Sequence, residues 1–298
     1  MGLHLDRSGS VTRRRILGLA ALAASLLAGG SPALGGEFKA TYGEVYAQRD
    51  SGPLKADVYV PEGDGPFPGV LVVHGGAWRM GTRGQLSGVA QMLAQHGFTA
   101  IAISYRLAPA HKFPAQILDC KDAVRWMRTN AERLKIDPER IGGFGYSAGA
   151  HLVSLLGTTD DKDGLEGVAD PKSVPSTRIQ CVACGGAPCD LRPIPKDVDG
   201  LSFFLGGSPA QCPEQYRLAS PAAFVTPDDP PMFFFHAEDD QLVPLASPAN
   251  MQAALTAAGI VSDLYIVPHL GHTAAAMDRD AIDRSIAFLA KHLHAESN

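Results

Sequence analysis

Gly145-Tyr146-Ser147-Ala148-Gly149 is the stretch that most limits what this chain can fold into. It lies between residues 140–144, which read as a short strand, and residues 151–156, which read as a helix. A serine held on so sharp a strand-to-helix turn has a strained backbone, and its close neighbours must be small. Gly143, Gly145, Ala148 and Gly149 meet that demand. The pentapeptide alone is a weak signal, because glycine and serine are common in loops. It becomes a catalytic reading only if the chain also supplies a base, an orienting acid and donors for an oxyanion.

The chain around it alternates strands with helices. Residues 44–48 and 54–60 read as antiparallel strands about the turn Asp50-Ser51-Gly52-Pro53. Residues 68–74 form a nearly continuous apolar run, as a strand buried on both faces does, and 98–104 repeat it. Strands follow at 179–185, 232–236 and 264–267; helices are placed at 86–96, 115–134, 249–258 and 281–294. That order means an α/β fold, a mostly parallel sheet with helices on both faces. Two segments break it: 158–177, polar and rich in Asp, Lys and Gly, and 191–231, rich in proline with the apolar patch 201–205. Loops of this length are usually functional, so both are expected to form walls or a lid over a substrate pocket.

Residues 1–36 read as an export segment. Thr12-Arg13-Arg14-Arg15-Ile16-Leu17 precedes an apolar run to Ala28 and then small residues to Gly35, a pattern of the twin-arginine type. The run is shorter than a bilayer span, so no membrane anchor is expected once it is removed. A net charge of -5 over 298 residues offers nothing to a polyanion, so nucleic acid is excluded as a partner. Export permits disulfides, and among five cysteines Cys189 and Cys212, which bracket a loop-rich segment, are the expected pair. Cys181 and Cys184 lie three apart on an apolar strand, facing opposite sides, which argues against a shared metal ion.

The missing catalytic parts can be placed in order. His74-Gly75-Gly76-Ala77-Trp78 follows the buried strand, where an oxyanion loop belongs. The amides of Gly76 and Ala77, with that of Ala148, are assigned as donors, and Gly75 belongs to the same loop. Glu238, Asp239 and Asp240 follow a later strand; Asp240, just before an apolar turn and Pro244, is the preferred acid, with Asp239 its rival. His272, in the loop before the last helix, completes the order Ser, Asp, His, with His269 as competitor. His74 is read as a brace for the oxyanion loop and His151 as part of the elbow helix. Trp78, Tyr146, Phe203 and Phe204 are expected to contact substrate.

With these residues in place, the chain resembles a family. His74 to Trp78, Ser104-Tyr105-Arg106-Leu107-Ala108-Pro109, the Ser147 pentapeptide and the Asp240 and His272 motifs resemble α/β-hydrolase esterases. The nearest likeness is to the bacterial feruloyl-esterase-like (BD-FAE-like) branch, beside the hormone-sensitive-lipase-like carboxylesterases. The resemblance covers residues 42–293. It implies an eight-stranded α/β-hydrolase sheet with lid-like insertions in one catalytic domain over 37–298, and ester hydrolysis with no cofactor and no metal. Short acyl or carbohydrate-linked acetyl or feruloyl esters are the substrates it suggests. The chain departs from the lipase-like members at Ala77, where a third glycine is usual, and at Tyr146, where an acid is usual. Thr273 stands where a glycine often follows the base. The Ser147 and Trp78 motifs also look like kynurenine formamidase, an amide hydrolase whose cytosolic role fits poorly with export. A peptidase would need a further domain to restrict access, and a binding module without activity would have lost a member of the triad.

Overall fold

The computed structural model describes residues 36–294. The export segment read over 1–36 lies outside them but for its last residue. The chain opens with the antiparallel hairpin β1 (Phe38–Arg49) and β2 (Gly52–Pro61), turning at Asp50-Ser51. β3 (Phe67–Val73), α1 (Ser87–Gln95) and β4 (Thr99–Ile103) follow. The helical stretch expected over 115–134 divides at Asn130 into α2 (Ala115–Thr129) and α3 (Ala131–Leu134). Then come β5 (Ile136–Tyr146), α4 (Ala148–Thr158) and β6 (Cys181–Gly185). The long segment after β6 carries α5 (Ser202–Leu205) and α6 (Pro213–Leu218). β7 (Met232–Ala237), α7 (Ala246–Ala257), β8 (Ser262–Val267), α8 (His272–Ala275) and α9 (Arg279–Leu293) complete the described residues.

The strands form one eight-stranded sheet in the order β1-β2-β4-β3-β5-β6-β7-β8. β2 runs antiparallel to β1 and β4; every pairing from β4 to β8 is parallel. This is the α/β-hydrolase sheet the resemblance implies. Val73 is level with Gly145, and Tyr146 with Gly185, so β3, β5 and β6 end together. The loops that leave those ends meet along one edge of the sheet, where open α/β sheets place their ligands.

The apolar run of β3 is explained by its two covers. Leu71 and Val73 pack into the core under α2 and α4, whereas Val70 and Val72 face the core under α1 and α9. Each buried side chain of this size contributes about 1.5–3 kcal/mol. Cys181 and Cys184 divide between the same two cores, the alternation that strand geometry demands.

Two expectations are corrected. Cys189 and Cys212 are free thiols, like the other three cysteines. Each sulfur turns into its own loop, Cys189 Sγ toward Ala187 O at 3.5 Å and Cys212 Sγ toward Ser208 O at 3.3 Å. Residues 158–177 do not wall the cavity described below. They follow the far end of α4, and eleven residues of helix carry the chain about 16 Å from the elbow. There the segment is tied to α2: Lys121 Nζ donates to Glu166 Oε1 at 2.5 Å, and Arg125 Nη2 to Glu166 O at 2.8 Å.

Candidate active site

The turn between β5 and α4 holds Ser147 at φ 55°, ψ -119°, a conformation that side chains rarely adopt. It is tied at both ends, its amide donating to Gly185 O at 2.8 Å and its carbonyl accepting from His151 N at 3.0 Å. The turn admits no side chain at Gly145 or Gly149. A Cβ on Gly149 would stand 1.9 Å from Val73 O, and one on Gly145 2.4 Å from Gly149 O.

The loop after β8 brings His272 to this serine, Nε2 lying 2.8 Å from Ser147 Oγ. Its Nδ1 lies 2.6 Å from Asp240 Oδ2, in the turn after β7. The other oxygen, Oδ1, accepts the amides of Leu242 and Val243, both at 2.9 Å. Asp240 is buried, which pushes its pKa up, but the Val243 amide, His272 and the Leu242 amide outweigh burial and hold it below the ordinary carboxylate value. An ionised carboxylate fixes the proton on Nδ1 and leaves Nε2 bare to accept the serine proton. The rivals sit apart from this line: Asp239 is exposed, and the His269 side chain is turned to solvent beside Glu238.

Two supports of this line escaped the sequence reading. The Tyr146 phenol donates to the backbone carbonyl of His272, its ring centroid 5.4 Å from the imidazole. Tyr146 thus holds the loop that carries His272 and, contrary to the substrate contact expected of it, does not border the cavity. His236, fully buried at the end of β7, donates Nε2–H to Val243 O at 2.9 Å and lies 3.4 Å from Asp240 Oδ2. No motif marks it; its only signal is a histidine four residues before the acid.

The loop read as an oxyanion loop is a left-handed turn. Gly76, Ala77 and Trp78 have φ of 108°, 49° and 58°, and Gly76 O accepts the amides of Arg79 and Met80 at 3.1 and 3.0 Å. A Cβ on Gly76 would meet Met80 O at 2.2 Å. Gly75 backs onto the elbow, where a Cβ would lie 3.3 Å from that of Ser147. Among the described residues, the amides of Gly76, Ala77 and Ala148 donate no hydrogen bond to protein, and Ala77 and Ala148 border the same cavity as Ser147. Such amides can serve charge that develops on a reacting oxygen.

Buried neutral histidines hold this loop. His74 donates Nδ1–H to Gly75 O at 2.7 Å and stacks on Tyr105 at 4.3 Å, whose hydroxyl returns a bond to His74 O at 3.1 Å. Trp78 donates Nε1–H to His151 Nδ1 at 3.2 Å, and His151 passes its Nε2–H to Ala219 O at 2.6 Å. Burial lowers the pKa of both histidines to about 4. The Trp78 ring lies flat on Phe204, centroids 4.2 Å apart and planes 4° from parallel.

A cavity of about 670 Å³ opens over Ser147 and His272. Trp78 borders it, together with Leu191, Ile194 and neighbouring prolines and with Leu242, Val243 and Pro244 from the turn after β7. So of the two long segments, only the start of 191–231 is a wall. Phe203 and Phe204 do not line it, contrary to expectation. α5 drives Phe204 beneath Trp78 with no exposed surface, and Phe203 packs under the Arg79 guanidinium, 5.3 Å from its ring.

The chain that carries this arrangement has counterparts among known proteins. Residues 56–255 match the family model described as BD-FAE. Esterase LipC of Mycobacterium tuberculosis is 30% identical over 213 residues, covering 70% of this chain and 53% of LipC. The chain spans about half the length of that relative. Among solved structures, a truncated carbohydrate esterase from gut microbiota superposes with a TM-score of 0.74 at 25% identity, over 85% of this chain and 95% of that one. A bifunctional GH43-CE protein of Bacteroides eggerthii superposes with a TM-score of 0.77 at 29% identity, over 86% of this chain and 35% of its own.

Proposed function

The chain belongs to the BD-FAE family, and from that premise we propose that it hydrolyses carboxylic esters by acyl transfer through Ser147. The observation that carries this reading is the line from Ser147 Oγ to His272 Nε2 at 2.8 Å and from His272 Nδ1 to Asp240 Oδ2 at 2.6 Å. Ser147 Oγ attacks the ester carbonyl while His272 Nε2 takes its proton, and Asp240 stabilises the imidazolium that results. The oxyanion rests on the Gly76, Ala77 and Ala148 amides. His272 then returns the proton to the leaving alcohol, and water, deprotonated by the same imidazole, releases the acid from Ser147.

The proposed substrates are short acyl or carbohydrate-linked esters, outside the cytoplasm. Two similar structures support this, one a carbohydrate esterase and the other a bifunctional GH43-CE protein. The twin-arginine pattern at residues 12–17 supports export. Among the described residues no helix is long and apolar enough to cross a membrane.

Labelling by a fluorophosphonate, with acid release from p-nitrophenyl acetate and acetylated xylan, tests the reading. The native protein should label and turn over both, and Ser147→Ala should not label and should lose roughly 10⁴-fold or more in kcat. A Ser147→Ala protein with near-native turnover would overturn it.

A further inference from the structure

We propose that the Asn250 amide and the Asp190 carboxylate recognise a hydroxyl carried by the ester substrate. This rests on the ester-hydrolase reading above and names a feature of the substrate within it.

Besides the Trp78 indole, the polar side chains that border the cavity are those of Ser147, His272, Ser247, Asp190 and Asn250. Ser147 and His272 belong to the reacting line. Ser247 is committed to the fold, its Oγ accepting from Cys189 N at 2.7 Å and donating to Ala187 O at 3.1 Å. Asp190 receives Arg192, Nε at 2.8 Å on Oδ1 and Nη2 at 2.7 Å on Oδ2, with the Arg192 amide at 3.0 Å on Oδ1. Its burial would raise the pKa, but the Arg192 bonds outweigh that and lower it, so the carboxylate stays ionised. Asn250 is different. Its side chain is exposed at the cavity wall and meets no hydrogen-bond partner among the described residues.

Asn250 follows Ser247 by three residues on α7, so the two share a face of the helix. Ser247 is bonded to Cys189, the residue before Asp190. Asn250 and Asp190 thus border the same cavity, each close in the chain to that one hydrogen bond. Asp190 Oδ2, bonded to Arg192 Nη2 alone among the described residues, keeps room for another donor. Nothing in the helix asks for asparagine there, a weaker helix former than the alanines around it.

A primary amide both donates and accepts, whereas a carboxylate only accepts. A hydroxyl satisfies both, donating to Asp190 and accepting from the Asn250 N–H. An alkyl group would strip water from both without return. A volume of about 670 Å³ is in the range that encloses a drug-sized ligand, so the substrate can reach this wall from Ser147.

The hydroxyl belongs to either the acyl or the alcohol half of the ester, and paired substrates separate the two. Acid release is followed for methyl 3-phenylpropanoate against methyl 3-(4-hydroxyphenyl)propanoate, and for propyl acetate against glycerol monoacetate, with p-nitrophenyl acetate as reference. The native protein should prefer the hydroxylated member of one pair in kcat/KM. Asn250→Leu and Asn250→Ala should each cut that preference by about 3- to 10-fold, the effect of one neutral hydrogen bond. No preference in either pair, or variants that keep the native ratio, overturns the proposal and leaves ester hydrolysis standing. A folded native protein that fails on p-nitrophenyl acetate as well overturns the ester-hydrolase reading and this proposal with it.

Discussion

The Tyr146 phenol donates its hydrogen bond to the backbone carbonyl of His272, so the residue before Ser147 holds the loop that carries His272. Gly186 makes the contact possible, since a Cβ there would lie 2.9 Å from His272 Cε1 and 3.2 Å from the Tyr146 ring. The middle of the pentapeptide thus sets the serine, and its variable position steadies the imidazole.

Tyr146→Phe keeps the ring and removes that bond. Because Tyr146 does not border the cavity, KM should change little. A freer His272 should lower kcat by about 3- to 10-fold, the range of one neutral hydrogen bond. Separate kcat and KM on p-nitrophenyl acetate decide it; a change confined to KM would place Tyr146 against substrate instead.

Stability should fall as the solution is made acid. His74 and His151 have folded pKa values of about 4, against 6.5 when free. Their neutral forms are therefore favoured by folding, fully so above 6.5, and the unfolded chain binds more protons between 6.5 and 4. Each should remove roughly 3 kcal/mol of stability across that window. Asp240, held below its ordinary value, adds a loss in the same direction further down, once its carboxylate takes a proton. Urea unfolding at pH 7, 5.5 and 4.5 checks this, and a flat midpoint would show that neither histidine is held neutral.

Phe204→Ala should cost about 3–5 kcal/mol, because a fully buried aromatic leaves a cavity beneath Trp78. The loss should reach activity as well, since Trp78 is the last residue of the left-handed turn that carries the Ala77 amide. Phe203→Ala, beside it but only partly buried, should cost markedly less in the same unfolding measurement.

These aromatics show where the sequence stops being readable. Ser147, Asp240 and His272 were legible as a set because each follows a strand of a periodic pattern within a few residues and carries a side chain with few other uses there. The sheet was legible for the same reason: β3 and β4 are apolar on both faces, and only a strand covered twice reads that way. A Phe-Phe pair in a proline-rich segment has one composition whether it lines a cavity or wedges under a tryptophan. The direction of α4 decided that 158–177 lies away from the cavity, and length alone does not carry direction. Cys189 and Cys212 bracket a loop, but their sulfurs face different carbonyls. His151 looked like helix interior until its two ring nitrogens found Trp78 and Ala219.

Asp240→Asn isolates the electrostatic part of the proposed line. The amide oxygen can still accept from Leu242 and Val243, which lie at 2.9 Å, so the turn after β7 keeps its anchor. The amide nitrogen can then face His272 Nδ1 only as a donor, which forces the proton onto Nε2 and leaves nothing to take the serine proton. A fall of roughly 10⁴-fold in kcat is expected, the size seen when a triad acid becomes an amide. The unfolding midpoint at neutral pH should move far less than in Phe204→Ala. A variant that unfolds yet keeps its turnover per folded molecule would make Asp240 a structural residue, and one that folds and keeps its kcat would move the acid to another carboxylate.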